Sequence, residues 1–225
     1  TGEALAKTLG QEDTKLYLTA RDKKTIEALP AEDKKSCDIT DTQSIKKALQ
    51  PWAEEPLDGF AYCIGTINLK PFRSADDQSF QQAFDINLMG AVRALRILLP
   101  ALKKGKGSVV LYSTIAVQRG FPSHTAIAAA KGAIEGLTRS LAAEYAPDIR
   151  INCIAPSLTD TGIAQSILSN DTMKQSIAKM HPIPRIGTPE DLAETSAFLL
   201  SDKSGWITGQ VIHVDGGRSA ARAKG

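Results

Sequence analysis

The feature of this sequence that most restricts its fold is the regular alternation of short apolar runs with helical stretches. Leu16–Thr19, Gly59–Ile64, Ser108–Ser113, Arg150–Ala155 and Gln210–Val214 have strand length, and Cys37–Ile39 ends another short run. Between them lie segments with helical spacing: Glu3–Leu9, Lys23–Leu29, Thr42–Leu49, Asp76–Leu102 and Ser123–Tyr145, then Pro189–Leu200. Their ends carry the appropriate signals. Asp41 is placed to cap one start, Pro189 sits in a first turn, Gly105 closes the long segment, and Pro147 stops the small-residue helix. Strand–helix–strand order of this kind builds right-handed crossovers and a parallel sheet. The strands are continuously apolar, not alternating, so both faces of that sheet are covered. The expectation is an α/β fold of three layers, helices over both faces of a doubly wound sheet.

At 225 residues the chain suits one domain spanning 1–225. Within it only Pro156–Pro184 lacks a clear pattern, apart from an amphipathic stretch at Gly162–Leu168. That region, about 156–188, is either a plain surface loop or a lid over a site. A net charge of +2 gives no electrostatic case for nucleic acid or a membrane surface as partner. The basic run at Lys103, Lys104 and Lys106 reads as a solvated helix end. Cys37, Cys63 and Cys153 are isolated, which offers neither a disulfide framework nor a metal pattern. A reducing, cytoplasmic setting is the corresponding expectation. No stretch is long and apolar enough to span a bilayer, and no signal peptide is visible.

Three motifs carry chemistry. The first runs from Tyr112-Ser-Thr-Ile through Ala128-Ala-Ala-Lys131-Gly-Ala-Ile-Glu-Gly-Leu-Thr-Arg-Ser-Leu-Ala. The second is Arg150-Ile-Asn-Cys-Ile-Ala-Pro156, and the third Gly205-Trp-Ile-Thr-Gly-Gln-Val-Ile-His-Val-Asp-Gly-Gly217. In this order the sequence resembles the short-chain dehydrogenase/reductase family, in particular its acyl-carrier-protein reductase-like members, over about residues 1 to 217. The resemblance implies a Rossmann-type sheet binding a nicotinamide dinucleotide at its carboxyl edge. It also implies hydride transfer between that cofactor and a carbonyl or hydroxyl on a small or acyl-linked substrate.

Several site residues follow from the resemblance. Gly2 stands as the last glycine of the phosphate turn, where free N–H groups of a helix start favour an anion. The strand and earlier glycines that precede this turn in the family have no counterpart here, a difference of about a dozen residues. Arg21 falls where NADP-preferring members carry an arginine for the 2′-phosphate, so NADP(H) is expected over NAD(H). Asp38 and Ile39 match the pair beside the adenine. Tyr62-Cys63-Ile-Gly65 occupies the place of Asn-Asn-Ala-Gly and keeps only the glycine. Pro156, Ser157, Thr159 and Thr161 match the turn that flanks the nicotinamide, with Ser157 in place of the usual glycine.

Asn87 matches the helix asparagine of the catalytic group, and Lys131 the lysine that binds the nicotinamide ribose and lowers the catalytic tyrosine's pKa. The serine position holds Thr114, with Ser113 beside it. The tyrosine position, one helical turn before Lys131, holds Ile127. Isoleucine has no proton to give, although the alkoxide left by hydride transfer needs one. His124, two turns before Lys131, lies at the spacing of the tyrosine in enoyl reductases of the superfamily. Tyr112, Asp160 and His181 are further titratable residues nearby. Two alternatives therefore stand beside carbonyl reduction: a nucleotide-binding or assembly protein without turnover, and a reductase of carbon–carbon double bonds. The small-residue helix Thr125–Gly136 is a candidate surface for a homodimer or homotetramer.

Overall fold

The computed structural model describes residues 1–12 and 14–222. In chain order its elements begin with α1 (Gly2–Leu9), β1 (Tyr17–Ala20), β2 (Asp33–Ser36), α2 (Thr42–Leu49) and β3 (Gly59–Ala61). They continue with α3 (Asp77–Phe84), α4 (Gly90–Gly105), β4 (Ser108–Tyr112), α5 (Ala116–Arg119), α6 (Thr125–Tyr145) and β5 (Arg150–Pro156). The last are α7 (Gln165–Leu168), α8 (Asp171–Lys179), α9 (Pro189–Leu200) and β6 (Val211–Val214).

All strand pairings are parallel, as the alternating pattern requires. β3, β4, β5 and β6 pair in that order, and β1 pairs with β2 in a separate ladder. Each residue of β4 is buried because both faces of the sheet are covered. Val109 and Leu111 of β4 point with Ile151 and Cys153 into a core shared with α2, α4 and α6. Val110, Tyr112 and Ile154 point the other way, toward Leu192 and Leu199 of α9. Helix α1 links the two ladders: Ala4 and Leu5 pack with Ala193 of α9 and Ala61 of β3, whereas Ala6 packs with Ile26, Leu29 and the β1 residues Leu18 and Ala20.

The elements depart from the sequence pattern in four places. Lys23–Leu29 forms only a 3₁₀ turn at Lys23–Ile26, capped by Asp22, whose carboxylate accepts from the Lys24 amide. Its apolar anchors Ile26 and Leu29 are three apart, the period of that tighter helix. β2 is the polar run Asp33–Ser36, not the apolar one ending at Cys37–Ile39. It is an edge strand with its outer face covered by Trp52, which stacks on Tyr17 and donates to Asp33 at 2.9 Å. The long segment at Asp76–Leu102 is broken by a π-turn at Asp85–Met89. Gly105 is the last helical residue and Lys106 takes the left-handed conformation. Glycine is needed at 105 because a Cβ there would lie 2.4 Å from the Leu57 carbonyl oxygen. Finally, the 156–188 region contains α7 and α8, the latter capped by Asn170 through the Met173 amide.

Among the described residues the three cysteines are free, no helix is long and apolar enough to cross a membrane, and no cluster of potential metal ligands occurs.

Candidate active site

A cleft of about 350 Å³ opens at the carboxyl ends of β3, β4 and β5. Cys63, Gly65, Asn87, Ser113, Thr114, Ile127, Lys131, Pro156, Ser157, Thr159 and Thr161 all line it. The sequence spreads these residues over almost a hundred positions, and the crossovers bring them to one sheet edge.

Asn87 sits in the π-turn and is fully buried. Its amide nitrogen donates to the Ala83 carbonyl at 2.9 Å, and its Oδ1 accepts from the Thr66 amide at 3.3 Å. The widened turn is pinned from the other side by Tyr62, whose hydroxyl donates to the Ile86 carbonyl at 2.6 Å. Tyr62 thus braces this corner by a different route from a side-chain amide. Isolated π-turns of this kind recur at functional sites because they re-aim one side chain out of helical register.

Lys131 rises from α6 into the cleft and is 7% exposed. Its Nζ donates to the Tyr112 carbonyl at 2.8 Å, and no carboxylate lies within ion-pair distance among the described residues. Burial without a counter-charge pushes its pKa down to about 8. Ile127, one turn earlier, is buried in the same wall and puts a hydrocarbon surface beside the ammonium.

Adjacent residues after β4 face opposite ways. Ser113 is buried and donates to Glu135 Oε1 at 2.8 Å, so its hydroxyl is engaged in α6. Thr114 is partly exposed at the cleft, its Oγ1 accepting only a 3.3 Å bond from the Ala116 amide. Tyr112 also lines the cleft, but its hydroxyl lies 2.5 Å from Ser196 Oγ. Because Ser196 donates onward to the Leu192 carbonyl at 2.6 Å, Tyr112 is the donor in that contact and its proton is committed to α9.

The remaining candidates are placed as follows. His124 reaches the cleft with Nδ1 donating to the Pro122 carbonyl at 2.7 Å. His181 is buried outside it, between the Ile177 carbonyl and Ser157 Oγ. Asp160 is held by Lys174 and Gln165. Gly2 opens α1 against Cys63, with Thr1 on the cleft wall. Arg21, Asp38 and Ile39 lie away from the cleft, beyond β1 and β2. Arg21 is exposed, and Asp38 spends its carboxylate on the amide and hydroxyl of Thr40. Phe121, Thr66 and Arg218 also line the cleft and stand outside the sequence motifs. Only Thr66 had a signal, as the residue following Gly65.

A nicotinamide dinucleotide fits the donor set. Gly65 leaves an open cradle: a Cβ there would lie 3.0 Å from Asn87 Oδ1 and 3.5 Å from Lys131 Nζ. The buried ammonium beside it retains hydrogens suited to ribose hydroxyls.

A family model described as Enoyl-(Acyl carrier protein) reductase matches residues 1–219. The chain is 35% identical over 192 residues to 2-(S)-hydroxypropyl-CoM dehydrogenase 3 of Xanthobacter autotrophicus, covering 81% of this chain and 75% of that one. To the same organism's Inactive 2-(S)-hydroxypropyl-CoM dehydrogenase 2 it is 34% identical, with 81% and 83% covered. The solved structure of a short-chain dehydrogenase/reductase of the glucose/ribitol dehydrogenase type from Brucella melitensis superposes with a TM-score of 0.91 at 28% identity, over 98% of this chain and 92% of that one. A parallel α/β fold, a lysine and asparagine meeting under a glycine cradle, and a match along nearly the whole chain establish that this protein belongs to the short-chain dehydrogenase/reductase family of oxidoreductases.

Proposed function

We propose that the protein is an NADP(H)-dependent oxidoreductase that interconverts a carbonyl and a hydroxyl, with Lys131 in place of residue 127 as its proton source. The observation that carries this reading is the buried, unpaired ammonium of Lys131 in the wall shared by Asn87, Thr114 and Gly65.

Bound in this cleft, a reduced nicotinamide would supply the hydride to the carbonyl carbon. The carbonyl oxygen then takes up one proton, and the chain must provide it. Thr114 Oγ1 donates a hydrogen bond that holds this oxygen and polarises its bond to carbon. Of the titratable groups on the cleft wall, Tyr112 is committed to Ser196 and Arg218 keeps its protons at any working pH. Burial holds the Cys63 thiol up at about 11. His124 is oriented by its Nδ1 bond to Pro122 and has Nε2 as its other proton site, the basis of the enone alternative. Lys131, at about 8, is matched to deliver a proton near neutrality. Ile127 keeps bulk water from the ammonium, which is what holds its pKa down. Ser113 supports α6 through Glu135 and takes no part in the reaction. Pro156, Ser157, Thr159 and Thr161 form the wall on the lid side.

Preference for NADP(H) rests on Arg21, exposed at the end of β1 with no ion pair among the described residues. A homodimer or homotetramer remains part of the proposal, with α6 as its candidate surface.

Ile127 favours a second reading, a protein that binds the dinucleotide and does not turn over. A titration of NADPH fluorescence beside NADH, followed by NADPH consumption with saturated ketones and enones, decides between them. Ketone-dependent oxidation of NADPH is the expected result. Tight binding with no consumption on either class would install the second reading. Consumption on enones alone, dependent on His124, would shift the reaction to carbon–carbon double bonds.

A further inference from the structure

The cleft is apolar over most of its wall, yet among the described residues no aspartate or glutamate lines it. Among the described residues, the lysine and arginine side chains on its wall are Lys131 at the floor and Arg218. Arg218 follows the last strand and its Gly-Gly turn, at a point where three segments meet. Its guanidinium lies 4.8 Å from the centre of the Phe121 ring, and Nη1 and Nη2 reach Ser157 Oγ and Met180 Sδ, each at 3.4 Å. Arg119, at the end of α5, donates to the Arg218 carbonyl and fixes its backbone.

These contacts orient the guanidinium without satisfying it. The bond to Ser157 is long, and the other ends on sulfur, a weak acceptor. No carboxylate pairs with it among the described residues. Asp215, the nearest acid in sequence, accepts from the amides of Gly217 and Ser219. Burial and the neighbouring Arg119 disfavour the Arg218 charge and outweigh the pull of Asp215, which does not pair with it. A half-buried, stacked guanidinium at a cleft with no carboxylate among its described residues is complementary to a planar oxyanion.

We infer that Arg218 is a specificity-determining residue that receives the carboxylate of an amphipathic oxo-acid, whose apolar chain lies along Ile64, Ile67, Leu158 and Ile163 toward Lys131. This deepens the carbonyl-reductase reading of the same cleft, and its test separates the two. Methyl ketones bearing a terminal carboxylate, of graded chain length, are titrated calorimetrically beside their methyl esters, with and without NADPH. At the best length the acid binds roughly 10- to 100-fold more tightly than the ester, the range of a charged hydrogen-bonded pair. Arg218→Gln abolishes this difference and leaves ester binding unchanged, while Arg218→Lys restores part of it. Thermal melts confirm that both variants fold. Equal binding of acid and ester, a preference that survives Arg218→Gln, or no binding of either at any length overturns the inference. Acid preference without NADPH oxidation sinks the carbonyl reading and leaves the Arg218 assignment standing.

Discussion

Lys131 Nζ donates a 2.8 Å hydrogen bond to the carbonyl oxygen of Tyr112, so the helix that carries the lysine is tied to the last residue of the strand before Thr114. That bond holds the ammonium in a wall where it has no counter-charge, and burial depresses its pKa to about 8. The protonated form is the donor. Reduction is therefore expected to show a kcat/KM that is level below about pH 8 and falls roughly tenfold per pH unit above it. Alcohol oxidation should rise through the same window. Lys131→Met should remove the step along with most of the activity. A reduction profile that stays level to pH 10, the range around the ordinary lysine value, would exclude Lys131 as the proton source.

Ile127→Tyr tests the other half of the same argument. The residue borders open cleft volume, so a phenol ring has room to project into it, one turn from Lys131. A positioned acid contributes about 10²–10⁴-fold, and carbonyl reduction should rise within that range with NADPH affinity unchanged. The check is kcat/KM on one ketone for both proteins, with melting temperature and NADPH titration as controls. Folded, NADPH-binding variant protein with no gain would show that the missing phenol is not what restricts the rate.

How much of this was legible in the sequence depends on the kind of signal. β4 and β5 announced themselves because strands covered on both faces are apolar throughout. β2 did not, because an edge strand shielded by a single tryptophan can be Asp-Lys-Lys-Ser. The π-turn at Asp85–Met89 was hidden inside a continuous helical pattern, since one inserted residue shifts the register without changing composition. Lys131, Asn87 and Gly65 were found through motif order, and the structure places all three on the wall of one cleft. Spacing put Thr114 at the serine position, with Ser113 beside it as the other candidate. Backbone direction decides between them, sending one hydroxyl to Glu135 and leaving the other at the cleft. Arg218 carried no signal, because it lies just past the last motif and its position depends on how the tail folds back over Phe121.

The start of α9 gives a stability prediction independent of the cleft. Thr188 Oγ1 accepts from the Asp191 amide at 3.3 Å and Asp191 Oδ2 accepts from the Thr188 amide at 2.7 Å, a reciprocal capping box. Thr188→Ala should cost about 1 kcal/mol, read from chemical denaturation. Asp191 is also gripped by both guanidinium nitrogens of Arg185, at 2.6 and 2.7 Å, and that contact first, with the Thr188 bonds, lowers its pKa from 3.8 to about 2. A carboxylate depressed in the folded state stabilises above its unfolded pKa and loses that contribution as pH falls through the folded one. Between pH 4 and 2 the wild-type melting temperature should therefore fall more steeply than that of Asp191→Asn. Parallel slopes would mean that the pair contributes nothing in solution.

The proposed preference for NADP(H) rests on Arg21, whose geometry makes it testable on binding alone. It is exposed where β1 ends, Asp38 lies near enough to feel its charge, and Thr40 already occupies the Asp38 carboxylate. A phosphate bound by the guanidinium therefore displaces no hydrogen-bonded salt bridge. Removing such a charged pair should weaken NADPH by roughly 10- to 100-fold and leave NADH unchanged, because NADH has a hydroxyl where NADPH has the phosphate. Fluorescence titration of Arg21→Gln with both cofactors reads this directly. The ratio of the two dissociation constants is the informative quantity, since a general disturbance of β1 would weaken both cofactors and leave it fixed. A constant ratio would move the source of any NADP(H) preference away from Arg21.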